Sequence, residues 1–408
     1  MKKIILLLIL ACSFSANYAQ KANVRKAKDK ALNGDKPDFV GARDAIKLAL
    51  NDSTTKDDAE TWYVAGLIGN KQSEGEYKKA ILNIKFDTLS KGRAIIESYH
   101  YLVQANKLDN MPDSKGKVKP KYAKEIKTIL KDYYNDQHNL VEYGGYQYGK
   151  QDFRGAFNTF QIYLDIPLMD LMNKEIKLDS VYNRIKYFAG VSASAANMHE
   201  KAFSIFENLI ENNYKTDGVY QNFATEYLVK KDTVNYLKIL KDGNVRFPKQ
   251  PWYMQSLINY YIHANKTQDA LTYLDSAIQL DPKFYQYYLV KGQLYLTLEN
   301  FDEANNALNK AIELNPKNPD LYAELGRSYY NKAVKMTLEA NKIKDINVFK
   351  KEEAKTDEVL KLAIPYYLKA IELKPKDIEY KTPLKQIYYR LQMDKEYEAI
   401  TKEIKALS

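Results

Sequence analysis

Few side chains in this sequence could carry out chemistry, and they lie far apart along the chain. The 408 residues contain one cysteine, Cys12, and four histidines: His100, His138, His199 and His263. Metal sites and activated nucleophiles need such groups at defined spacings. His199 and Glu200 begin like a zinc-binding helix, but no second histidine follows at the required distance. We therefore expect no metal, no cofactor and no catalytic residue, and we predict that the protein is not an enzyme.

One run of residues resembles a phosphate-binding loop. The segment from Gly144 to Gln151 reads Gly-x-x-x-x-Gly-Lys-Gln. A phosphate loop has Ser or Thr after the lysine to hold magnesium, and it follows a β-strand. Gln151 takes that place here, and no strand pattern precedes the run. Nucleotide binding is therefore not predicted, and Gly144 has a better explanation as a helix-packing residue of the repeat described below.

The elements that must position any functional side chain are predicted to be helices. The chain has only 16 glycines and 12 prolines, both below average usage for this length. A β-sandwich, barrel or propeller needs many tight turns and therefore more of both residues. Hydrophobic residues make up 45% and charged residues 28% of the chain, as expected of a folded protein. Composition thus favours an all-α protein.

Residues 1–19 have the pattern of a signal peptide. Lys2 and Lys3 precede an unbroken apolar run, Ile4–Ala11, and a short polar stretch then leads to Ala19. The apolar run is too short to span a bilayer, and no later segment is apolar over a sufficient length. We therefore expect an exported protein that is not transmembrane, located in the periplasm or associated with the cell envelope.

Two processing routes remain open for this leader. Cleavage after Ala19 would leave Gln20 as the first residue of the mature chain. Alternatively, Ile9–Cys12 resembles a bacterial lipobox, in which Cys12 would become a lipid-modified N-terminus. Plain secretion is favoured, and a lipid anchor at Cys12 is the alternative.

The charge of the chain does not indicate a nucleic-acid partner. The formal net charge is +10, and it becomes +8 once Lys2 and Lys3 are removed with the leader. This mild excess is spread along a chain in which both signs are mixed, whereas a nucleic-acid binder concentrates basic residues on one face.

An internal repeat is the strongest pattern in the sequence. Four tyrosines are each 34 residues apart: Tyr227, Tyr261, Tyr295 and Tyr329. Two alanine positions and one proline position follow the same period: Ala270 and Ala304, Ala277 and Ala311, and Pro282 and Pro316. The next members of all four series, Ala363, Ala370, Pro375 and Tyr388, come 59 residues later. One repeat therefore contains an insertion of 25 residues, after which the phase resumes.

The clearest unit runs from Tyr285 to Asn318, and it resembles a tetratricopeptide (TPR) repeat. The signature positions are filled by Tyr288, Gly292, Tyr295, Ala304, Leu308, Ala311 and Pro316. Small residues allow two helices to approach closely, and the proline stops the second helix. The resemblance extends over nearly all of the mature chain and implies a right-handed superhelical solenoid of about nine helix-turn-helix pairs. The exported TPR proteins of Bacteroidota are similar in leader and composition.

The repeat predicts how the chain is organised. Residues 1–19 are the signal peptide, 20–110 hold degenerate TPR helix pairs, and 120–249 hold central TPR-like repeats. Residues 250–408 hold the C-terminal repeats, with a helical hairpin inserted at about 332–361 and a kink expected at Pro365. A shorter insertion of about 20 residues lies around Lys71–Arg93. Asp109–Lys121 is predicted to be a hydrated connector, although its alternating lysines leave contact with lipid headgroups or an acidic partner open.

The resemblance also implies where a partner would bind. In TPR proteins the first helix of each pair lines a concave groove, and five of its positions face the ligand. Carried onto this sequence, the candidate groove residues are Trp252, Gln255, Asn259, His263, Gln286, Gln293, Arg327, Tyr330, Asn331, Gln386 and Arg390. Carboxamides, arginines and tyrosines suit an extended peptide, because amides can pair with its backbone.

Two functions stay open from the sequence. The favoured one is a non-catalytic exported scaffold that binds a protein or peptide in the groove. The alternative is a glycan-binding envelope lipoprotein built on TPR helices, in which tyrosines would stack on sugars and Cys12 would carry the lipid.

Overall fold

The computed structural model describes residues 20–32 and 36–407, which form helices joined by turns and loops without any β-strand. The chain divides into two compact units, Met1–Tyr236 and Leu237–Ser408. The predicted all-α repeat architecture is confirmed. The leader and Cys12 lie outside the described residues. None of the helices in the described ranges combines the length and the apolar character needed to cross a membrane.

The described part of the first unit runs from α1 into α11. Its helices are α1 (20–32), α2 (Phe39–Leu50), α3 (Ala59–Ile81), α4 (Thr88–Asp109), α5 (Ala123–Asn135), α6 (Leu140–Gly149), α7 (Phe153–Asp165), α8 (Ser180–Ala195), α9 (His199–Glu211), α10 (Asp217–Val229) and α11 (Thr233–Arg246). Two 3₁₀ turns, Ile166–Leu168 and Asp170–Met172, follow α7.

The second unit begins within α11 and contains four further helix pairs. These are α12 (Pro251–His263) and α13 (Thr267–Leu280), α14 (Tyr285–Thr297) and α15 (Phe301–Leu314), α16 (Pro319–Ala340) and α17 (Ile346–Leu373), and α18 (Ile378–Arg390) and α19 (Asp394–Leu407). The predicted stop residues Pro282, Pro316 and Pro375 each follow the end of a second helix by two residues.

Glycines on the first helices set how closely the two helices of a pair approach. A Cβ atom added to Gly144 would lie 2.5 Å from the ring of Phe160, and one added to Gly292 would lie 2.6 Å from Cγ of Leu308. Contacts this short would force the neighbouring side chain to move. An added Cβ atom would also crowd Phe206 at Gly190, Leu102 at Gly66 and Tyr367 at Gly326. The small residue that the repeat pattern predicts is therefore a helix-packing residue in both units.

Both insertions are accommodated mainly by lengthened helices. The glycine and its contact residue are 16 positions apart at Gly144, Gly190 and Gly292, but 36 apart at Gly66 and 41 apart at Gly326. These two separations exceed the usual 16 by 20 and 25 residues, which are the insertion lengths that the repeat spacing predicts. At the first site α3 continues to Ile81, and at the second α16 has 22 residues and α17 has 28. Pro365 lies inside α17.

The connector between α4 and α5 is an ordered loop, here named the 110–122 loop. The carboxylate of Asp109 accepts hydrogen bonds from the backbone N–H groups of Lys121, Tyr122 and Ala123, at 2.9, 2.7 and 3.1 Å. This carboxylate satisfies free donors at the start of α5, where no other side chain caps the helix. Two prolines and one glycine make the loop irregular. The hydrogen bonds to Asp109, the last residue of α4, hold the C-terminal end of the loop beside that helix.

Helix α5 and the 3₁₀ turns after α7 are not predicted by the repeat. Helix α5 packs against α4 and against both 3₁₀ turns, and it buries Ile126, Leu130, Tyr133 and Tyr134. It follows the loop as a single helix outside the pairs. An element that occurs once leaves no periodic signal, although the spacing of these four residues is that of one buried helical face.

Candidate functional site

The candidate site lies on the first helices of the second unit: α12, α14, α16 and α18. Their starting points follow from local sequence. Pro251 and Pro319 occupy the first turn of α12 and α16, where a missing N–H costs nothing. The side chains of Asn318 and Asp377 cap α16 and α18 by accepting from the N–H groups two residues ahead, at 3.0 and 2.9 Å. We call the surface that carries the predicted groove residues the first-helix face.

On α12 the predicted residues form a stripe of free polar side chains. Gln255, Asn259 and His263 are four residues apart, so they lie on one side of the helix, and all three are exposed. Within the described part of the chain, none of these side chains has a hydrogen-bonding partner. Trp252, one turn before Gln255, is half-buried against Tyr253 at a ring separation of 5.1 Å. We call Gln255, Asn259 and His263 the α12 stripe.

A cleft adjoins the α12 stripe. It has a volume of about 390 Å³ and lies between α12, the end of α13 and the start of α14. Gln255 lines it together with Lys249, Asp281 and Tyr287. Carboxamide, ammonium, carboxylate and phenol groups thus face one space, which can pair with both donors and acceptors of a ligand.

Predicted residues on α14 and α16 are already paired with each other through a residue that the sequence did not identify. The side-chain amide of Gln293 donates to Glu324 Oε1 at 3.0 Å, and Arg327 forms an ion pair with the other oxygen of the same carboxylate. Gln286, two turns earlier on α14, is exposed and has no side-chain partner among the described residues. Glu324 therefore joins two adjacent first helices.

Direct side-chain hydrogen bonds connect helices α16 and α18. Tyr330 donates its hydroxyl to Gln386 Oε1 at 3.1 Å, and Tyr380 donates its hydroxyl to the carboxylate of Asp320. Burial and the hydrogen bond to Asp320 raise the pKa of Tyr380 above its ordinary range, so this phenol stays protonated. Asn331, next to Tyr330, is half-buried.

The last predicted residue, Arg390, faces the lengthened helix α17. Its Nε atom lies 3.6 Å from Asp357 Oδ1, an interaction that the sequence also did not reveal. Further down the same helix, Tyr367 is buried beneath the face, and burial raises the pKa of its phenol while the nearby Arg327 opposes the rise. Arg327, Tyr330, Gln386 and Arg390 on α16 and α18 thus already have side-chain partners, whereas the α12 stripe is free.

The first unit has a corresponding cleft of a different character. It measures about 350 Å³ and is lined by Val141, Gly145, Tyr148, Phe160, Tyr187, Phe188 and Val191. These residues come mainly from α6 and α8, which are first helices. The phosphate-loop-like run lies in α6 and the start of the following turn, where Gly144 packs on Phe160.

The described residues do not bring three His, Cys, Asp or Glu side chains together in a way that could hold a metal ion. His199, which begins α9, instead places Nδ1 3.0 Å from Glu226 Oε2. His138 lies 3.5 Å from Glu142 on an exposed surface. Each of these two histidines therefore lies beside a single glutamate and not in a metal-binding cluster.

Comparison with known proteins agrees with the repeat type. Residues 292–332 match the family model for the TPR repeat. No curated protein matches the chain. The C-terminal part of a TPR repeat-containing protein from Cytophaga hutchinsonii is similar over 65% of this chain and 95% of that one, at 17% identity and a TM-score of 0.47.

A second similar structure is MamA from Desulfovibrio magneticus RS-1, residues 41 to the end. It is 18% identical, with a TM-score of 0.34, and the match covers 47% of this chain and 94% of that one. At these identities and scores, neither structural similarity carries an inference about function. The TPR match at 292–332 supports a protein-interaction scaffold.

Proposed function

We propose that the protein is a non-catalytic scaffold that holds an extended segment of a partner protein on its first-helix face. The observation that carries the proposal is the α12 stripe. Gln255, Asn259 and His263 are exposed at a spacing of one helical turn, and within the described residues they have no side-chain partner. A peptide backbone offers alternating donors and acceptors that such carboxamides can satisfy.

The contact zone would centre on α12 and α14. The α12 stripe leads into the cleft beside Gln255, and Gln286 is exposed at the start of α14. Arg327, Tyr330 and Arg390 are engaged with Glu324, Gln386 and Asp357, so a partner would have to replace those interactions. A partner therefore gains more from the free amides than from these paired groups.

The test compares two double variants of the full chain. In the first, Gln255→Ala and Asn259→Ala remove two free carboxamides from the α12 stripe. In the matched control, Gln268→Ala and Gln279→Ala remove two exposed carboxamides from α13, a second helix. Each lost hydrogen bond is worth roughly 0.5–1.5 kcal/mol, so partner affinity should fall roughly 5- to 150-fold in the first variant and stay unchanged in the control.

The measurement is quantitative capture of proteins from the native envelope fraction, followed by titration of the captured partner. Equal capture by the two double variants would contradict the placement on α12. Capture of nothing above background, together with glycan binding by the wild-type chain, would favour the glycan-binding alternative over the scaffold.

We also propose that the protein is exported, as in the similar proteins of Bacteroidota, with residues 1–19 as its signal. The support is the sequence pattern of Lys2, Lys3 and Ile4–Ala11. The mass of the mature N-terminus tests it. A chain beginning at Gln20 indicates plain secretion, a diacylglyceryl Cys12 indicates a lipid anchor, and an intact Met1 rejects export.

A further inference from the structure

The 110–122 loop is a basic, exposed segment of the first unit. Four lysines alternate along it: Lys115, Lys117, Lys119 and Lys121. All residues from 110 to 121 are exposed, and the flanking Lys107 and Lys124 are exposed as well. The two acids of this stretch, Asp109 and Asp113, direct their carboxylates to backbone N–H groups of the loop.

The loop holds its lysines in a fixed arrangement. Asp113 Oδ1 accepts from the backbone N–H groups of Lys115 and Lys117 at 2.8 and 2.9 Å, and the N–H of Asp113 donates to the carbonyl of Lys117 at 2.9 Å. Gly116 makes the reversal possible because its φ is +73°, a value that other residues rarely adopt. The result is a turn at Ser114 and Lys115, followed by residues 117–120, which belong to neither a helix nor a strand.

The lysines at the apex are electrostatically unpaired. In the part of the chain that the structure describes, Lys115, Lys117 and Lys119 make no ion pair with a carboxylate. Lys121 differs, because its ammonium lies 4.9 Å from the ring centroid of Tyr122. Two apolar side chains accompany the lysines at the surface, Met111 at 58% and Val118 at 50% exposure.

The composition of the loop favours a lipid surface over an acidic protein. Protein interfaces are enriched in arginine and aromatic residues and depleted in lysine. Residues 110–121 contain no arginine and no aromatic residue. Lysine is a point charge without a fixed geometry for carboxylates, and each lysine near an anionic bilayer adds attraction of about the same size. Pro112 and Pro120 lack the N–H groups that strand pairing with a partner would use.

We propose that the 110–122 loop docks on an anionic phospholipid bilayer. The ammonium groups of Lys115, Lys117 and Lys119 contact headgroup phosphates, and Met111 and Val118 enter the boundary between headgroups and acyl chains. An exposed, basic turn that carries exposed apolar side chains is suited to an anionic bilayer surface. The loop shares no residue with the first-helix face.

The experiment measures partitioning of the full chain onto vesicles. One set contains phosphatidylglycerol and phosphatidylcholine at a ratio of 3:7, and the other contains phosphatidylcholine alone. The variant Lys115→Gln, Lys117→Gln, Lys119→Gln keeps the backbone hydrogen bonds of the loop. The matched control, Lys344→Gln, Lys350→Gln, Lys351→Gln, removes the same charge from exposed lysines around the α16–α17 turn.

We expect the wild-type chain to prefer the anionic vesicles, and the loop variant to lose at least tenfold of that preference. The control should lose less than twofold. Raising sodium chloride from 50 to 300 mM should abolish the wild-type preference, because screening weakens the attraction. This salt titration tests the electrostatic contribution to binding without any substitution. The apolar leader is present in the wild-type chain and in both variants, so it does not account for a difference between them.

Equal losses in the two variants would overturn the proposal, because net charge alone would then explain the binding. A wild-type chain without preference for anionic vesicles would overturn it as well. Binding of polyglutamate in the absence of vesicle binding would assign the loop to an acidic protein instead.

Discussion

Glu226 is completely buried in α10, and two side chains from neighbouring helices satisfy its carboxylate. Ser194 of α8 donates its hydroxyl to Oε1, and Nδ1 of His199, at the start of α9, lies 3.0 Å from Oε2. A buried carboxylate is costly unless it is paired. This small network therefore joins three consecutive helices of the first unit.

Removing the imidazole should destabilise the chain because it leaves Glu226 with a single partner. We expect His199→Ala to lower the free energy of unfolding by roughly 2–3 kcal/mol, since the histidine is partly exposed and water can replace some of the interaction. The matched control is His263→Ala, whose side chain is exposed and unpaired within the described residues and whose cost should stay within about 0.5 kcal/mol. Urea unfolding followed by circular dichroism measures both, and equal losses would contradict the account.

At the residue scale, the sequence predicted which helix a side chain lies on better than it predicted which other side chains it contacts. The exposed residues Gln255 and Asn259 could be placed on the first-helix face because α12 follows the repeat register. Glu324 and Asp357 could not be identified, because their importance depends on Gln293, Arg327 and Arg390 from other turns or helices. Whether a side chain is free or already engaged is a property of packing, which one sequence does not show.

Two adjacent glycines on α6 show how strongly helix packing constrains a single position. A Cβ atom on Gly144 would lie 2.5 Å from Phe160 on α7, whereas one on Gly145 would meet no atom within 4 Å. Both residues are inside a helix, where glycine costs about 0.5–1 kcal/mol relative to alanine. The same substitution should therefore have opposite effects at the two positions.

We expect Gly145→Ala to stabilise the chain by about 0.5–1 kcal/mol through the gain in helix propensity. Gly144→Ala should destabilise it by about 1–3 kcal/mol, because the ring of Phe160 must move away. Thermal or urea unfolding of the two variants side by side tests this, with Gly145→Ala serving as the control for propensity. Stabilisation by Gly144→Ala would show that α6 and α7 are not packed as described.

Helix α5 is held from the side by an exposed ion-pair cluster. Lys127 and Lys131 lie one turn apart on α5, and both contact Glu175, which follows the second 3₁₀ turn. Hydrogen bonds from Lys127 and then Lys131 lower the pKa of Glu175 to about 2. A carboxyl whose pKa is lower in the folded state than in the unfolded state stabilises the fold when it is ionised.

The stabilisation by Glu175 should therefore depend on pH. It is fully present above the unfolded pKa of about 4.5 and is lost as the pH falls towards 2. The unfolding temperature of Glu175→Gln should lie below that of the wild-type chain at pH 6, and the difference should shrink between pH 4.5 and about 2. A difference that does not change across this range would show that Glu175 does not act through its charge.

At the element scale, the repeat period predicted most of the helices and the size of both insertions. The contact residues of Gly66 and Gly326 show directly that 20 and 25 residues have been added between paired positions. Helix α5 and the turns from Ile166 to Met172 were not predicted, because each occurs once and has no counterpart at the repeat distance. Helix α5 is specified by burial against α4, and the turns by packing on α5 and by the ion pairs of Glu175, none of which recurs at the repeat distance.

At the scale of the whole molecule, both compact units use the same helix-pair scheme but present different surfaces. In the second unit the first helices carry exposed carboxamides on α12 and α14, beside a cleft of mixed polarity. In the first unit the cleft between α6 and α8 is mainly aromatic, and a basic loop lies at 110–122. A helical repeat is suited to this division, because each pair contacts only its neighbours and its surface can vary independently.

The most direct test of the central claim is site-specific photo-crosslinking in the native envelope. A photo-crosslinking amino acid replaces Asn259 on the α12 stripe in one chain, and Gln279 on α13 in a second chain as the matched control. We predict that position 259 yields a covalent adduct with one partner protein and that position 279 yields none. Adducts of equal yield at both positions, or an adduct at position 279 alone, would contradict a scaffold that holds its partner on the first-helix face.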